Sequence, residues 1–381
     1  MATDNDDEPQ QSAVQRVRNA GQRERRGPRR YKRLVAISLL MLIFIYVGYL
    51  TVNYSIIYGR DIYYPQSVLS QFDDEIRERQ KSGNLSAQTD PVCEPSRTVS
   101  MQVHLIEMMT EENAWVSSRP LYKVGLFGVV DFEDTPWFDD KASEQIGMLD
   151  VSRRLAIEMI DSLGRVRGTS AQNEKLAAAQ ASLRIDERAW YLNSPFAENI
   201  NTISPSAAES YKSAADLYED YNRQLTDCEA VFDARADNLR ETLSRFTATL
   251  GDTIVELGKR SASLSYDPDA ERFKHGEGNA WAILDMHADN YFHRARGKVY
   301  ALHGIMQGLR ADFHHVIVDR NLVEVWDKME SSIAEAALLH PLMVSNGAKD
   351  GFIFRDHLGI MAEFLLRART SMVQLRDILK T

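Results

Sequence analysis

Residues Ser206–Lys259, SAAESYKSAADLYEDYNRQLTDCEAVFDARADNLRETLSRFTATLGDTIVELGK, decide the fold class. Tyr211, Ala214, Tyr218, Tyr221, Leu225, Cys228, Phe232, Ala236, Leu239, Leu243, Phe246, Leu250, Ile254 and Leu257 follow one another mainly at spacings of three and four. That repeat keeps one apolar stripe on a helix and is the signature of a coiled-coil-like seam. Ser206 with Glu209 forms a capping box, and Pro205 stands where a first turn tolerates it. The spacing predicts one helix of roughly 50 residues, about 75 Å long.

Working outward, the same period recurs. A helix over about Gly278–Val318 carries Trp281, Leu284, Ala288, Tyr291, Ala295, Val299, Leu302, Met306, Leu309, Phe313 and Val316 as its apolar stripe. On a second face Gly297, Ala301, Gly304, Gly308 and Ala311 form a ridge of small residues. Each glycine costs a helix about 1 kcal/mol against alanine, so the row implies close approach of another helix backbone. Asn321 with Glu324 is read as a cap for a helix ending near His340–Pro341, SNGAKDG (Ser345–Gly351) as a turn, and Phe354–Leu379 as the last helix. Toward the N-terminus, helices are expected over Val99–Trp115, Lys141–Arg167 and Ala171–Tyr191, with Gly164 in a left-handed helix end and an irregular segment over Ser117–Asp140. No stretch alternates for long like a half-buried strand, so the body reads as all-α: a long-helix bundle with coiled-coil-like seams.

Ahead of that body lies Leu34–Val52, LVAISLLMLIFIYVGYLTV, uncharged and about 28 Å long as a helix, the thickness of a bilayer's hydrocarbon core. Nine basic residues against five acidic ones precede it, and few basic residues follow, which places the N-terminus in the cytoplasm and the body outside it. Tyrosines 46, 49, 54, 58, 63 and 64 mark the far interface. The run is longer than a signal-peptide core and no small-x-small cleavage site follows, so an uncleaved anchor is expected. The resulting plan is a basic, largely disordered tail over 1–33, a transmembrane helix over 34–52, a juxtamembrane stalk and linker over 53–98, and a periplasmic helical domain over 99–381.

The chain has a net charge of −10, and the tail contributes +4, so residues 34–381 carry −14. An acidic exterior argues against nucleic acid as a partner. Cys93 and Cys228 are the chain's two cysteines. In an oxidising compartment they could pair, but Cys228 on the apolar seam reads more simply as a small buried hydrophobe.

Groups able to carry chemistry are few. Asp289 and His293, at i and i+4, offer two metal ligands from one side of a helix, on a polar stripe with Asp285, Arg296, Tyr300 and His303. No HExxH or Glu-x-x-His pair completes the set, and a solvated or hydrogen-bonded face explains it as well. The acids Asp131, Glu133, Asp134, Asp139 and Asp140 lack the spacing of a calcium loop and read as a solvated charge run. LGRVRGTS (Leu163–Ser170) sets Arg165 and Arg167 between glycines, a possible anion contact, or simply cations at a helix C-terminus. No cofactor motif is visible.

ENAW with Pro120, LGRVRGTS, FDARADNLRETL, YFHRARGKVYALHGIMQGLRADF and HLGIMAEFLLRARTSMVQLRDIL together resemble a family of uncharacterised single-span envelope proteins of proteobacteria, a domain of unknown function, over about Glu112–Leu379. The resemblance implies an inner-membrane anchor with a periplasmic helical domain and assigns no catalytic residue. Where relatives carry tryptophan in ARG-x-x-W-A-L, this chain has Tyr300. The expected function is a non-enzymatic envelope scaffold or interaction module, partnered by the bilayer and by a protein or a second copy. The alternatives are a ligand-sensing domain reporting through the span and a metal-dependent hydrolase.

Overall fold

In the computed structural model, which describes residues 27–81, 93–113, 115–117, 138–165, 171–189, 205–261, 264–267, 272–275, 286–341, 343–347 and 355–380, the seam of Ser206–Lys259 is largely buried but not continuous. Helix α6 (Ala207–Thr226) and helix α7 (Ala236–Arg260) are separated by a loop. At the break Cys228 takes a φ of 60°, a left-handed conformation that stops a helix. Tyr211, Tyr218, Tyr221 and Leu225 on one side of the break, and Leu239, Leu243, Phe246 and Leu250 on the other, are all buried. The stripe is real, and each half faces a different neighbour: α6 packs on α5 (Glu174–Leu183) and α3 (Arg97–Glu107), whereas α7 packs on α11 (His357–Ile378). Ser206 caps α6 as expected, its hydroxyl accepting from the Glu209 amide at 3.3 Å.

Cys228 is not the buried hydrophobe the stripe suggested. It is exposed and disulfide-bonded to Cys93, 135 residues earlier. The bond pins the loop that ends α6 to the strand of chain entering α3.

Helix α8 (Met286–Asp312) is the hub of the body. It contacts α2 (Tyr64–Lys81), α3, α7, α10 (Val323–Ala337) and α11, and most extensively α4 (Phe138–Glu158). Between Ala295 and Met306 every residue is buried, as a helix surrounded by others requires. Two single turns of π-helix extend α3 over Met108–Glu112 and α4 over Met159–Leu163. The helix expected to continue to Val318 turns instead at Phe313 into a short α9 (His314–Asp319).

Other local expectations are corrected. Asn321 does not cap α10. It sits at φ 54° in the preceding turn, and Leu322 opens the helix without a side-chain cap. Gly164 closes the π turn at φ −87°, not left-handed; space dictates glycine there, because a Cβ would press on the Leu176 side chain and the Met159 carbonyl oxygen. A two-stranded antiparallel hairpin, β1 (Leu264–Asp267) and β2 (Arg272–His275), interrupts the otherwise all-α body, with Leu264 opposite His275. The tail over 1–26, most of the linker and most of the irregular segment over Ser117–Asp140 lie outside the described residues.

The chain divides into two compact units, Met1–Ile57 and Tyr58–Thr381. The first is built on α1 (Gly27–Tyr58), which contains a stretch, Tyr31–Gly48, long and apolar enough to cross a membrane. Leu40, Met41, Ile43 and Phe44 of that stretch are exposed, Phe44 at 80 %. The second unit begins well before residue 99. Tyr64 is buried, donating to the Tyr300 carbonyl at 2.9 Å, and the Tyr300 hydroxyl donates to the Asp61 carbonyl at 3.0 Å. Residues placed by sequence in a stalk therefore belong to the core.

Candidate functional site

The N-terminal ends of α4 and α8 meet, and the meeting is set by glycine. A Cβ on Gly147 of α4 would lie 3.0 Å from the Lys298 amide nitrogen, and one on Gly297 of α8 3.0 Å from the Glu144 Cα, with carbonyl oxygens closer still in both cases. Close backbone approach was legible from the small-residue ridge, and the rest of the ridge also meets this chain. Gly304 lies against Tyr64 and Met101, Gly308 against the Thr98 backbone, Ala301 is buried and Ala311 half-buried. An Asp312 carboxylate completes the contact with α3, accepting from the Ser96 hydroxyl at 2.6 Å and the Arg97 and Thr98 amides at 2.9 Å. It acts as a cap supplied from another helix.

With the two backbones this close, polar side chains near their N-termini are enclosed. Asp139 and Asp140 in the first turn of α4 are 2 % and 6 % exposed, not the solvated run their sequence suggests. Each offers a carboxylate oxygen within 4.8 Å of the other and of one from Asp289 on α8. His293, one turn along α8, places Nε2 3.5 Å from Asp140 Oδ2. The sequence paired Asp289 with His293; the structure adds two acids from a helix some 150 residues earlier. Asp131, Glu133 and Asp134 fall outside the described residues.

Burial sets the electrostatics. Asp139 Oδ1 accepts from the Asp140 amide at 2.9 Å, while its Oδ2, and Oδ1 of Asp140, are buried without a hydrogen-bond partner. Desolvation, then the charges of Asp140 and Asp289, push the Asp139 carboxyl up to about 9. Asp140 is also pushed well above the carboxylate range, by burial and by Asp289 and Glu144, with Arg296 opposing. His293 is driven down to about 3 by burial and then Arg296, so its imidazole is neutral. Two buried acids that resist ionisation beside a neutral imidazole can share protons, or can hold a cation that removes the need for them.

The rest of the polar stripe continues into the core. Arg296, Tyr300 and His303 are buried, so the face is hydrogen-bonded rather than solvated, Arg296 donating to the Ala337 carbonyl, and Arg60 reaches Glu144 with Nε to Oε1 at 3.2 Å, the two side chains 5 % and 0 % exposed. Sequence gave no signal for this pair, because Arg60 lies 84 positions before Glu144 in a segment with no periodic pattern. Of the two arginines read as an anion contact, Arg165 is half-buried just after the π turn, and Arg167 lies outside the described residues.

Among known proteins, the family described as "Uncharacterized protein conserved in bacteria (DUF2333)" matches residues 88–381. No curated protein and no solved structure matches the chain.

Proposed function

Since this chain belongs to that uncharacterised bacterial family, which covers nearly all of its body, we propose that it is a membrane-tethered interaction module of the cell envelope, with α1 as an uncleaved anchor and the helical body in the periplasm. The observation that carries the reading is the Cys93–Cys228 disulfide. Disulfides persist in oxidising compartments and are kept reduced in the bacterial cytoplasm, and here the chain's two cysteines are used up in one. The excess of basic residues before α1 supports the same orientation.

A short connection along the chain supports the interaction role. The body locks Arg60 and Tyr64 into its core only a few residues after α1 ends, so a docking surface on it is held close to the anchor along the chain. The partner does not need the small-residue ridge, whose glycines are covered by this chain's own helices. The outward faces of α7, α10 and α11 remain for it.

Thiol alkylation of the full-length protein in intact cells tests the location: both cysteines should resist maleimide until a reductant is added, and labelling without reductant would overturn it. Detergent extraction with the anchor intact, followed by affinity isolation, tests the role. A stoichiometric companion or a homo-oligomer is expected; a monomer with no companion contradicts it.

A further inference from the structure

We infer that Asp139, Asp140 and Asp289 form a binding site for one hard divalent cation, Mg²⁺, Mn²⁺ or Ca²⁺, clamped between the first turns of α4 and α8. The geometry is that of a coordination sphere. Metal–oxygen bonds of about 2.0–2.6 Å put two ligand oxygens no farther apart than about 4–5 Å, and one oxygen from each carboxylate already meets that bound. The ligand chemistry, carboxylate oxygens with no thiolate, selects hard cations over zinc or copper.

The independent sign of a ligand is the state of the two most buried acids. Asp139 Oδ2 and Asp140 Oδ1 have no accessible area and no hydrogen-bond partner, in side chains that are otherwise well placed: Asp139 by the Asp140 amide and Asp140 by His293. Most buried polar atoms in proteins have a partner, so two orphaned oxygens facing one cluster of acids point to a missing one. Three carboxylates converge on that space, so a cation is the partner whose charge complements them.

His293 is a positioning residue in this arrangement. Its Nε2 lies 3.5 Å from Asp140 Oδ2, which turns that carboxylate and leaves Oδ1 for the cation, the kind of outer contact that orients metal ligands. The reciprocal glycines, Gly147 and Gly297, hold the two helices at the separation the site needs. The site does not depend on which side of the membrane the body occupies, so its failure and that of the envelope reading are separate results.

The test uses full-length protein in detergent, stripped with EDTA and titrated with Mn²⁺, the free ion being followed by electron paramagnetic resonance. One Mn²⁺ per chain is expected, displaced by Mg²⁺ or Ca²⁺ and weakened about tenfold or more by Asp139→Asn and by Asp289→Asn, whereas Asp161→Asn, an exposed acid on the same helix's final turn, leaves it unchanged. Asparagine keeps the shape and removes a buried charge, and circular dichroism checks the fold. Should neither variant fold, wild-type protein decides: stoichiometric binding with a Mn²⁺-dependent rise in Tm supports the site. Absence of a stoichiometric site, or a site indifferent to both substitutions, overturns it.

Discussion

Gly147 of α4 and Gly297 of α8 each lie against the other helix's backbone: a side chain on Gly147 would strike the Arg294 carbonyl and one on Gly297 the Glu144 carbonyl. Neither obstacle can rotate away, because both are main chain. Gly147→Ala and Gly297→Ala are therefore expected to destabilise by about 2–4 kcal/mol despite alanine's better helix propensity, since overpacking outweighs the roughly 1 kcal/mol that propensity returns. Gly258, near the end of α7, has nothing within 4 Å of its notional Cβ, and Gly258→Ala should be stabilising by a few tenths to about 1 kcal/mol. Urea unfolding of the three variants checks the contrast, and equal effects at Gly297 and Gly258 would refute it.

The Cys93–Cys228 bond closes a loop spanning 135 residues, and a cross-link of that reach removes much of the unfolded chain's freedom. Replacing both cysteines by alanine should cost about 2–4 kcal/mol, on the usual scale for such links. Reduction with dithiothreitol should lower the Tm of the wild type to that of the double variant and leave the variant's own Tm unmoved.

Glu158 is fully buried, with Arg245 Nε 3.2 Å from its Oε1 as an ion-pair partner. Desolvation outweighs the arginine and raises its pKa from 4.5 to about 7. The folded protein thus holds this proton where the unfolded chain has lost it. The stabilisation is fully present below about pH 4.5, falls as pH rises, and is gone above about pH 7, a change of up to about 3 kcal/mol from this group. Glu158→Gln cannot titrate, so the stability difference between variant and wild type should move by that amount in the variant's favour from pH 4.5 to pH 8. Denaturant titrations at both pH values measure it, and a difference that ignores pH would be inconsistent with this account.

What could be read from the sequence follows the range of the forces involved. Helical periodicity is local, so the apolar stripes, the Ser206 cap and the small-residue ridge were legible, and α8 is buried along the stretch where stripe and ridge coincide. The break at Cys228 was not: three-and-four spacing continues across it, and the residue that leaves the helix in a left-handed conformation is bonded to Cys93, with which it has no local relation. The same limit hid the candidate site. Asp289 and His293 share a helix face and were visible as a pair, whereas Asp139 and Asp140 join them only because two glycines let α4 and α8 approach. Acids opening a helix read as ordinary dipole complements until tertiary structure buries them.

Arg60 and Glu144 form the deepest ion pair of the described residues, and it contains the sharpest asymmetry in the body. The guanidinium lies over the Tyr300 ring at 5.5 Å and points Nη1 at Met148 Sδ, 3.4 Å away, so its surroundings are otherwise apolar. Removing the arginine alone leaves Glu144 buried and uncompensated; Arg60→Met is expected to cost about 3–5 kcal/mol. Removing both charges leaves no such debt: Arg60→Met with Glu144→Gln should recover most of the loss, because methionine suits a pocket already lined by methionine and tyrosine. A double-mutant cycle by urea unfolding, with Glu144→Gln alone as the fourth corner, measures the coupling. Additive single effects would mean that the pair is not what holds the segment after α1 in the body, and that the hydrogen bonds of Tyr64 and Tyr300 suffice.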